Sequence, residues 1–264
     1  MLEIQNVSKT FNAGTVNQKT ALNGLNLKLN EGDFVTVIGG NGAGKSTMLN
    51  AVAGVWPVDC GKIVIDGVDV TRLSEHQRAA YIGRVFQDPM TGTAATMQIE
   101  ENLALAARRG KPRTLRIGIT KAEREQYREL LKSLDLGLEN RLTARVGLLS
   151  GGQRQRAYIA MVIAQDTEFI LLDEPTNNLD IYHATNMMKM VRRLCDELGK
   201  TVILVLHEIN YAAFYSDYIC AFADGKIAKF GTVKEVMTKE VLSEIYRVEF
   251  EIMEIEGRPL SIYY

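Results

Sequence analysis

The residues Gly39, Gly40, Asn41, Gly42, Ala43, Gly44, Lys45 and Ser46 fit the spacing G-x-x-x-x-G-K-[ST]. They stand between an apolar, β-branched run, Phe34 to Ile38, and a stretch of helical composition, Lys45 to Val52, which is the context that spacing requires. Glycines let successive backbone N–H groups turn inward on phosphate oxygens. The helix N-terminus adds the positive end of its dipole. Lys45 would reach the β- and γ-phosphates, and the Ser46 hydroxyl would bind Mg²⁺. A second apolar run, Phe169 to Leu172, ends in two carboxylates, Asp173 and Glu174. Such an ending is common and weak alone, but a phosphate loop needs an acidic partner. Asp173 would hold Mg²⁺ directly or through water, and Glu174 would polarise the attacking water.

These residues need strands and helices to aim them. Leu2 to Val7 and Leu25 to Leu29 read as early strands, Lys62 to Val70 as a hairpin around Asp66-Gly67, and Tyr81 to Phe86 as a further strand. From Gln98 to Arg145 the pattern is mostly helical, with a polar loop expected over Arg108 to Arg116 because of Gly110 and Pro112. Alternation then resumes: helix Gly151 to Gln165, strand Phe169 to Asp173, helix Asp180 to Leu198, strand Thr201 to Leu206. Met187, Met188, Val191, Leu194, Cys195 and Leu198 fall on one face of the second of these helices. A hairpin around Asp224-Gly225, short helices and a strand-like tail, Val248 to Tyr263, close the chain. Strands alternating with helices predict an α/β fold with a mostly parallel sheet. One domain is expected over 1–264, with an α/β core at 1–97 and 146–264 and a helical subdomain at about 98–145.

Composition narrows the partners. A formal net charge of -1 gives no bulk attraction to nucleic acid or to an anionic membrane surface. No run of about 18 apolar residues occurs, and the most apolar stretch, Thr201 to Ala223, is broken by His207, Glu208, Asn210 and Asp217. No direct membrane insertion is expected, and no signal peptide is visible. Cys60, Cys195 and Cys220 have neither disulfide nor zinc spacing and read as buried small apolar residues of a reducing compartment.

Leu149-Ser150-Gly151-Gly152-Gln153 opens a helix, with Ser150 as a good N-cap and glycines that leave N–H groups exposed. This run resembles the signature motif of the ABC (ATP-binding cassette) family, standing ahead of the acidic strand at the family's usual distance. Other loops then match. Gln87 resembles the Q-loop glutamine, Asn178-Leu179-Asp180 the D-loop, His207 the switch histidine, and Phe11 the aromatic that stacks on adenine. Taken alone, Phe11 would be core, Gln87 surface and His207 a structural histidine. The resemblance covers essentially the whole chain.

It implies a P-loop NTPase of the ABC ATPase fold with an added antiparallel β region. It also implies ATP and Mg²⁺ as cofactors, with Thr47 beside the nucleotide and Ser46, Gln87 and Asp173 at the metal. Lys45, Glu174 and His207 would be catalytic. Two copies would meet head to tail around two ATP molecules, and Ser150, Gly151, Gly152 and Gln153 of one would complete the other's γ-phosphate site, with Asp180 nearby. Integral membrane subunits would be further partners, holding the chain at the cytoplasmic face of the cell membrane. The basic run Arg108, Arg109, Lys111, Arg113 and Arg116 reads as a solvated loop.

The part from about Gln153 onward resembles ATPases of ferric-siderophore importers, whereas Val55 to Pro112 resembles a subgroup serving amino-acid-type systems. A chimera joined near Leu149 to Arg156 would explain the change. The leading expectation is an importer ATPase, with iron-siderophore cargo first and an amino-acid-like solute second. The alternatives are a nucleotide-binding chimera or scaffold coupled to no transporter, and a non-transport ABC ATPase. The last usually carries two cassettes or a long coiled-coil insertion, and this chain has neither.

Overall fold

A computed structural model of the chain describes residues 1–86, 91–109, 118–133, 137–177 and 179–263. Strands β1 (Leu2–Phe11) and β2 (Lys19–Leu29) pair antiparallel. Their alternation puts Leu2, Ile4, Leu25, Leu27 and Leu29 inside and polar neighbours outside. Strand β3 (Phe34–Gly39) has no polar face: all six residues are buried. It runs into helix α1 (Lys45–Ala53), and β4 (Cys60–Ile65) and β5 (Val68–Asp69) form the expected hairpin. Asp66 and Gly67 turn it at φ 48° and 77°. The first sheet is antiparallel, in the order β2-β1-β4-β5.

After the short helix α2 (Glu75–Arg78), the second sheet gathers β6 (Ile82–Val85), β7 (Phe169–Asp173), β8 (Thr201–Val205), β9 (Tyr218–Ala223) and β10 (Lys226–Thr232) around β3. Its order is β10-β9-β3-β8-β7-β6, and every pair except β10/β9 is parallel. Parallel strands covered on both faces need continuous apolar runs, and β8 supplies one. Its Val202 and Leu204 face one core while Ile203 and Val205 face another. The first core also takes α3 (Ile99–Ala107), α4 (Lys121–Ser133), α5 (Gly151–Ala164) and α6 (Ile181–Asp196). The second lies between the two sheets and α1. A third joins Ile38 to α7 (Ile209–Tyr215), α8 (Val233–Val236) and α9 (Lys239–Tyr246). The strand-like tail is a hairpin, β11 (Phe250–Ile255) with β12 (Arg258–Tyr263).

Four details depart from the sequence reading. Helices α2 and α7 were not anticipated. Cys60 is exposed, because it stands at the start of an edge-facing stretch of β4; Cys195 and Cys220 are buried as expected. Leu198 is 48% exposed, since α6 ends at Asp196 before the face reaches it. Arg108, expected in a solvated loop, caps α3 and pairs with Glu123 at 2.7 Å. Arg109, also in that expected loop, is exposed and its guanidinium donates to Gln165 Oε1 at 3.5 Å; the rest of the loop, 110–116, lies outside the described residues. Among the described residues no helix is long and apolar enough to cross a membrane.

Candidate functional site

The phosphate loop is shaped by two glycines that no other residue replaces. Gly39 adopts φ 143°, and a Cβ there would stand 2.3 Å from the Phe222 carbonyl oxygen. Gly44, the residue that caps α1, adopts φ 112°, and a Cβ would stand 2.5 Å from the Ala21 oxygen. Having no side chain, Gly44 leaves the first-turn amides of α1 uncapped. Lys45 opens the helix and is 5% exposed. Its ammonium donates to the Gly39 oxygen at 2.7 Å and the Gly40 oxygen at 3.0 Å. Burial holds its pKa below the usual lysine range, and the charges of Glu174 and Asp173 oppose that shift.

Parallel pairing of β7 with β8 delivers the acidic side of the site. Asp173, last in β7, stands beside Val205, last in β8. The Ser46 hydroxyl donates to Asp173 Oδ1 at 3.2 Å. Burial pushes the Asp173 carboxyl above its ordinary range, while the Ser46 hydrogen bond pulls it back. A hydroxyl and a carboxylate at this separation are the oxygen donors a hard divalent cation takes. Glu174 occupies the left-handed region at φ 49°, a conformation that costs a non-glycine residue about 1–3 kcal/mol and gathers at functional sites. Its N–H donates to the Val205 oxygen at 3.2 Å. Its Oε1 lies 2.5 Å from Nε2 of His207, the residue two beyond β8. Their side chains are 14% and 50% exposed, so the carboxylate is sheltered and the imidazole meets solvent. A cleft of about 720 Å³ opens beside this pair.

Ser150 is the N-cap of α5. Its Oγ accepts from the Gln153 amide at 3.4 Å, and Gln153 Oε1 accepts from the Ser150 amide at 3.2 Å. A Cβ on Gly152 would sit 3.2 Å from His183. The His183 imidazole in turn lies 2.8 Å from Asp180, the N-cap of α6. Among the described residues no hydrogen bond or ion pair joins Ser150, Gly151, Gly152 or Gln153 to Lys45, Ser46 or Asp173. Phe11 ends β1 and meets Trp56 edge-on, with ring centroids 4.9 Å apart and planes at 81°. Thr47 is half-buried in the first turn of α1; in the loop ahead of it Asn41 and Gly42 are exposed and Ala43 is buried. Gln87 and Asn178 lie outside the described residues.

Three residues around the site escaped the sequence reading. Asn50 donates to the Ser46 oxygen at 2.7 Å and accepts from Arg84 at 2.7 Å. Arg84 is a buried guanidinium in β6, stacked 4.3 Å from the Phe86 ring; a lone charge inside an apolar strand was its available signal. Tyr246 accepts from the Gly39 amide at 3.1 Å, and nothing local in the sequence announced it.

Comparison with known proteins gives a consistent picture. The ABC transporter family model matches residues 22–177. The petrobactin import ATP-binding protein FatE of Bacillus anthracis is 37% identical over 265 residues, covering 100% of both chains. A tyrosine transport ATP-binding protein of Clostridioides difficile is 34% identical over 227 residues, covering 86% of this chain and 90% of its own. A solved dimeric, post-hydrolysis ATP-binding cassette bound to ADP and Pi superposes with a TM-score of 0.76 at 31% identity, covering 88% of this chain and 99% of that one. The FatE match covers 100% of this chain, residues on both sides of the expected junction included, so the comparisons give that junction no support.

Proposed function

This chain belongs to the ABC transporter family as an ATP-binding, ATP-hydrolysing subunit, and we propose from that premise that it powers import of iron-siderophore complexes. The observation that carries the cargo class is the full-length 37% identity to a petrobactin import ATP-binding protein. The convergence of Lys45, Ser46, Asp173, Glu174 and His207 beside one loop supports the chemistry.

In this reading the phosphate loop, Gly39 to Thr47, cradles the nucleotide and Phe11 stacks on adenine. Ser46, Asp173 and Gln87 hold Mg²⁺, whose role when bound is to neutralise charge on the β- and γ-phosphates. Lys45 turns from the two loop carbonyls toward those phosphates. Glu174 orients or deprotonates water, and His207, held against it, contacts the γ-phosphate. Catalysis is then positioning plus electrostatic neutralisation. The signature residues stand on a separate helix with their own cap. In this reading they serve the nucleotide of a second copy, arranged head to tail, with Asp180 at the same interface. Residues 98–145 form a helical subdomain facing integral membrane subunits, which keep the chain at the cytoplasmic face of the membrane. A second reading, import of an amino-acid-like solute, draws on the 34% identity to the tyrosine transport protein.

Proteoliposomes test the reading. The chain is reconstituted with siderophore-type membrane subunits, and phosphate release is followed as a ferric-siderophore-loaded binding protein is added. Stimulation is expected, and Glu174→Gln should lower turnover by about 10²–10⁴-fold, the usual worth of general-base help. Stimulation only in vesicles built with tyrosine-type membrane subunits and a tyrosine-loaded binding protein overturns the cargo assignment. Unchanged turnover in Glu174→Gln overturns the base.

A further inference from the structure

We infer that the C-terminal segment from α9 to β12 braces the site from both sides, Tyr246 positioning the phosphate loop and Asn210, gripped by β12, positioning the strand end that carries His207. This rests on the site reading above.

On the loop side, the Gly39 amide donates to the Tyr246 hydroxyl at 3.1 Å, across 207 residues of chain. The same residue's carbonyl accepts from Lys45 at 2.7 Å. Gly39 is thus pinned at both of its polar groups. When Lys45 turns to a phosphate it releases the carbonyl, and the Tyr246 hydroxyl is the side-chain hold that remains beside the pairing of Gly39 with Phe222 of β9. Ile38, one residue earlier, packs in the third core with Leu242, Ile245 and Phe250. Burial pushes the Tyr246 phenol up to about 12, so its hydroxyl stays neutral over any working pH. Arg247 follows at φ 58° and turns the chain out of α9 toward the β11–β12 hairpin.

On the other side, Asn210 stands three residues after His207 in the first turn of α7. Its Nδ2 donates to the Ser261 oxygen at 3.2 Å, and its Oδ1 accepts from the Ser261 amide and hydroxyl, both at 2.9 Å. Arg258 lies 4.1 Å over the Phe214 ring at the far end of α7 and donates to the Phe214 oxygen. A helix of seven residues is too short to hold itself. Its place, and with it the chain leaving His207, is set by what packs on it, and β12 is a principal contact.

The two contacts have separable kinetic signatures. A phosphate loop grips substrate and transition state alike, so loosening it raises KM; His207 acts on the developing charge, so misplacing it lowers kcat. In the purified full-length chain, Tyr246→Phe should raise KM for ATP about 3–10-fold with kcat within about twofold, the scale of one hydrogen bond. Asn210→Ala should lower kcat about 10-fold with KM within about twofold. Asn210→Asp keeps the acceptor for the Ser261 amide and hydroxyl but sets a carboxylate oxygen against the Ser261 carbonyl oxygen, so it too should lower kcat with KM within about twofold; it carries the test if Asn210→Ala melts below the assay temperature. Ser261→Ala, which leaves both backbone bonds, should change little. Equal losses of kcat from Tyr246→Phe and the Asn210 variants at constant KM, or no change from any, overturn the brace. Glu174→Gln run alongside keeps the failures apart. If it retains turnover, the site reading has failed. If it is silent and the split is missing, the brace alone has failed.

Discussion

Helix α1 begins behind a glycine and helix α5 behind a serine, and the proposed mechanism gives both N-termini to phosphate. At α1 the cap offers no side-chain acceptor, so the first-turn amides keep their hydrogen-bonding capacity. The lysine that follows is buried and the loop ahead of it is fixed by close backbone contacts. At α5 the Ser150 hydroxyl already takes the Gln153 amide, and the Gln153 side chain already takes the Ser150 amide. Ser150 is exposed, and a Cβ on Gly151 would find nothing within 4 Å. One end is built for its anion before the anion arrives. The other is satisfied by itself, and an anion arriving there would have to displace those bonds. The first arrangement suits a nucleotide held within the chain, and the second suits one that comes and goes with a neighbour.

Small substitutions should separate the two ends. The largest effect belongs to Gly39→Ala. The new Cβ would meet backbone 2.3 Å away at a φ that alanine avoids, so stability should fall by on the order of 3 kcal/mol. Denaturant unfolding reads the loss, and nucleotide binding should go with it. A native-like midpoint with intact ATP affinity would show that the loop is softer than its contacts imply. Ser150→Ala comes next, removing a cap worth about 1 kcal/mol. A fluorescent ATP analogue should bind the lone chain with unchanged affinity, while ATP-driven pairing, read by light scattering, weakens. Weaker nucleotide binding by the lone chain would erase the distinction between the ends. Gly151→Ala is the smallest: alanine in open space at a helical position should stabilise by about 0.4–1 kcal/mol. A lowered melting midpoint would show that this end is more constrained than it looks.

Much of this was readable in the sequence because the signals are local. The phosphate loop is bracketed by an all-apolar strand and a helix, and the capping box at α5 is complete within four residues. Asp173 and Glu174 were legible as an apolar run ending in carboxylates, whereas His207 was placed through the family resemblance; parallel pairing of β7 and β8 then brings their carboxyl ends together. The missed features are the non-local ones. Tyr246 reaches Gly39 from the far end of the chain. Helix α7 is short and leans on β12 and β3, so its own seven residues carry little pattern. Cys60 was placed by residue type alone, and type does not say which side of an edge faces water.

The edge-on contact between Phe11 and Trp56 has a practical consequence. Trp56 is the chain's one tryptophan, and it is half-buried 4.9 Å from the ring proposed to stack on adenine. Excitation at the red edge, where the ten tyrosines do not absorb, therefore reads a single chromophore beside the proposed adenine-stacking ring. If adenine stacks on Phe11 as proposed, its arrival should change the polarity and quenching around that indole. The unlabelled protein thus carries its own optical reporter for the first step of its cycle.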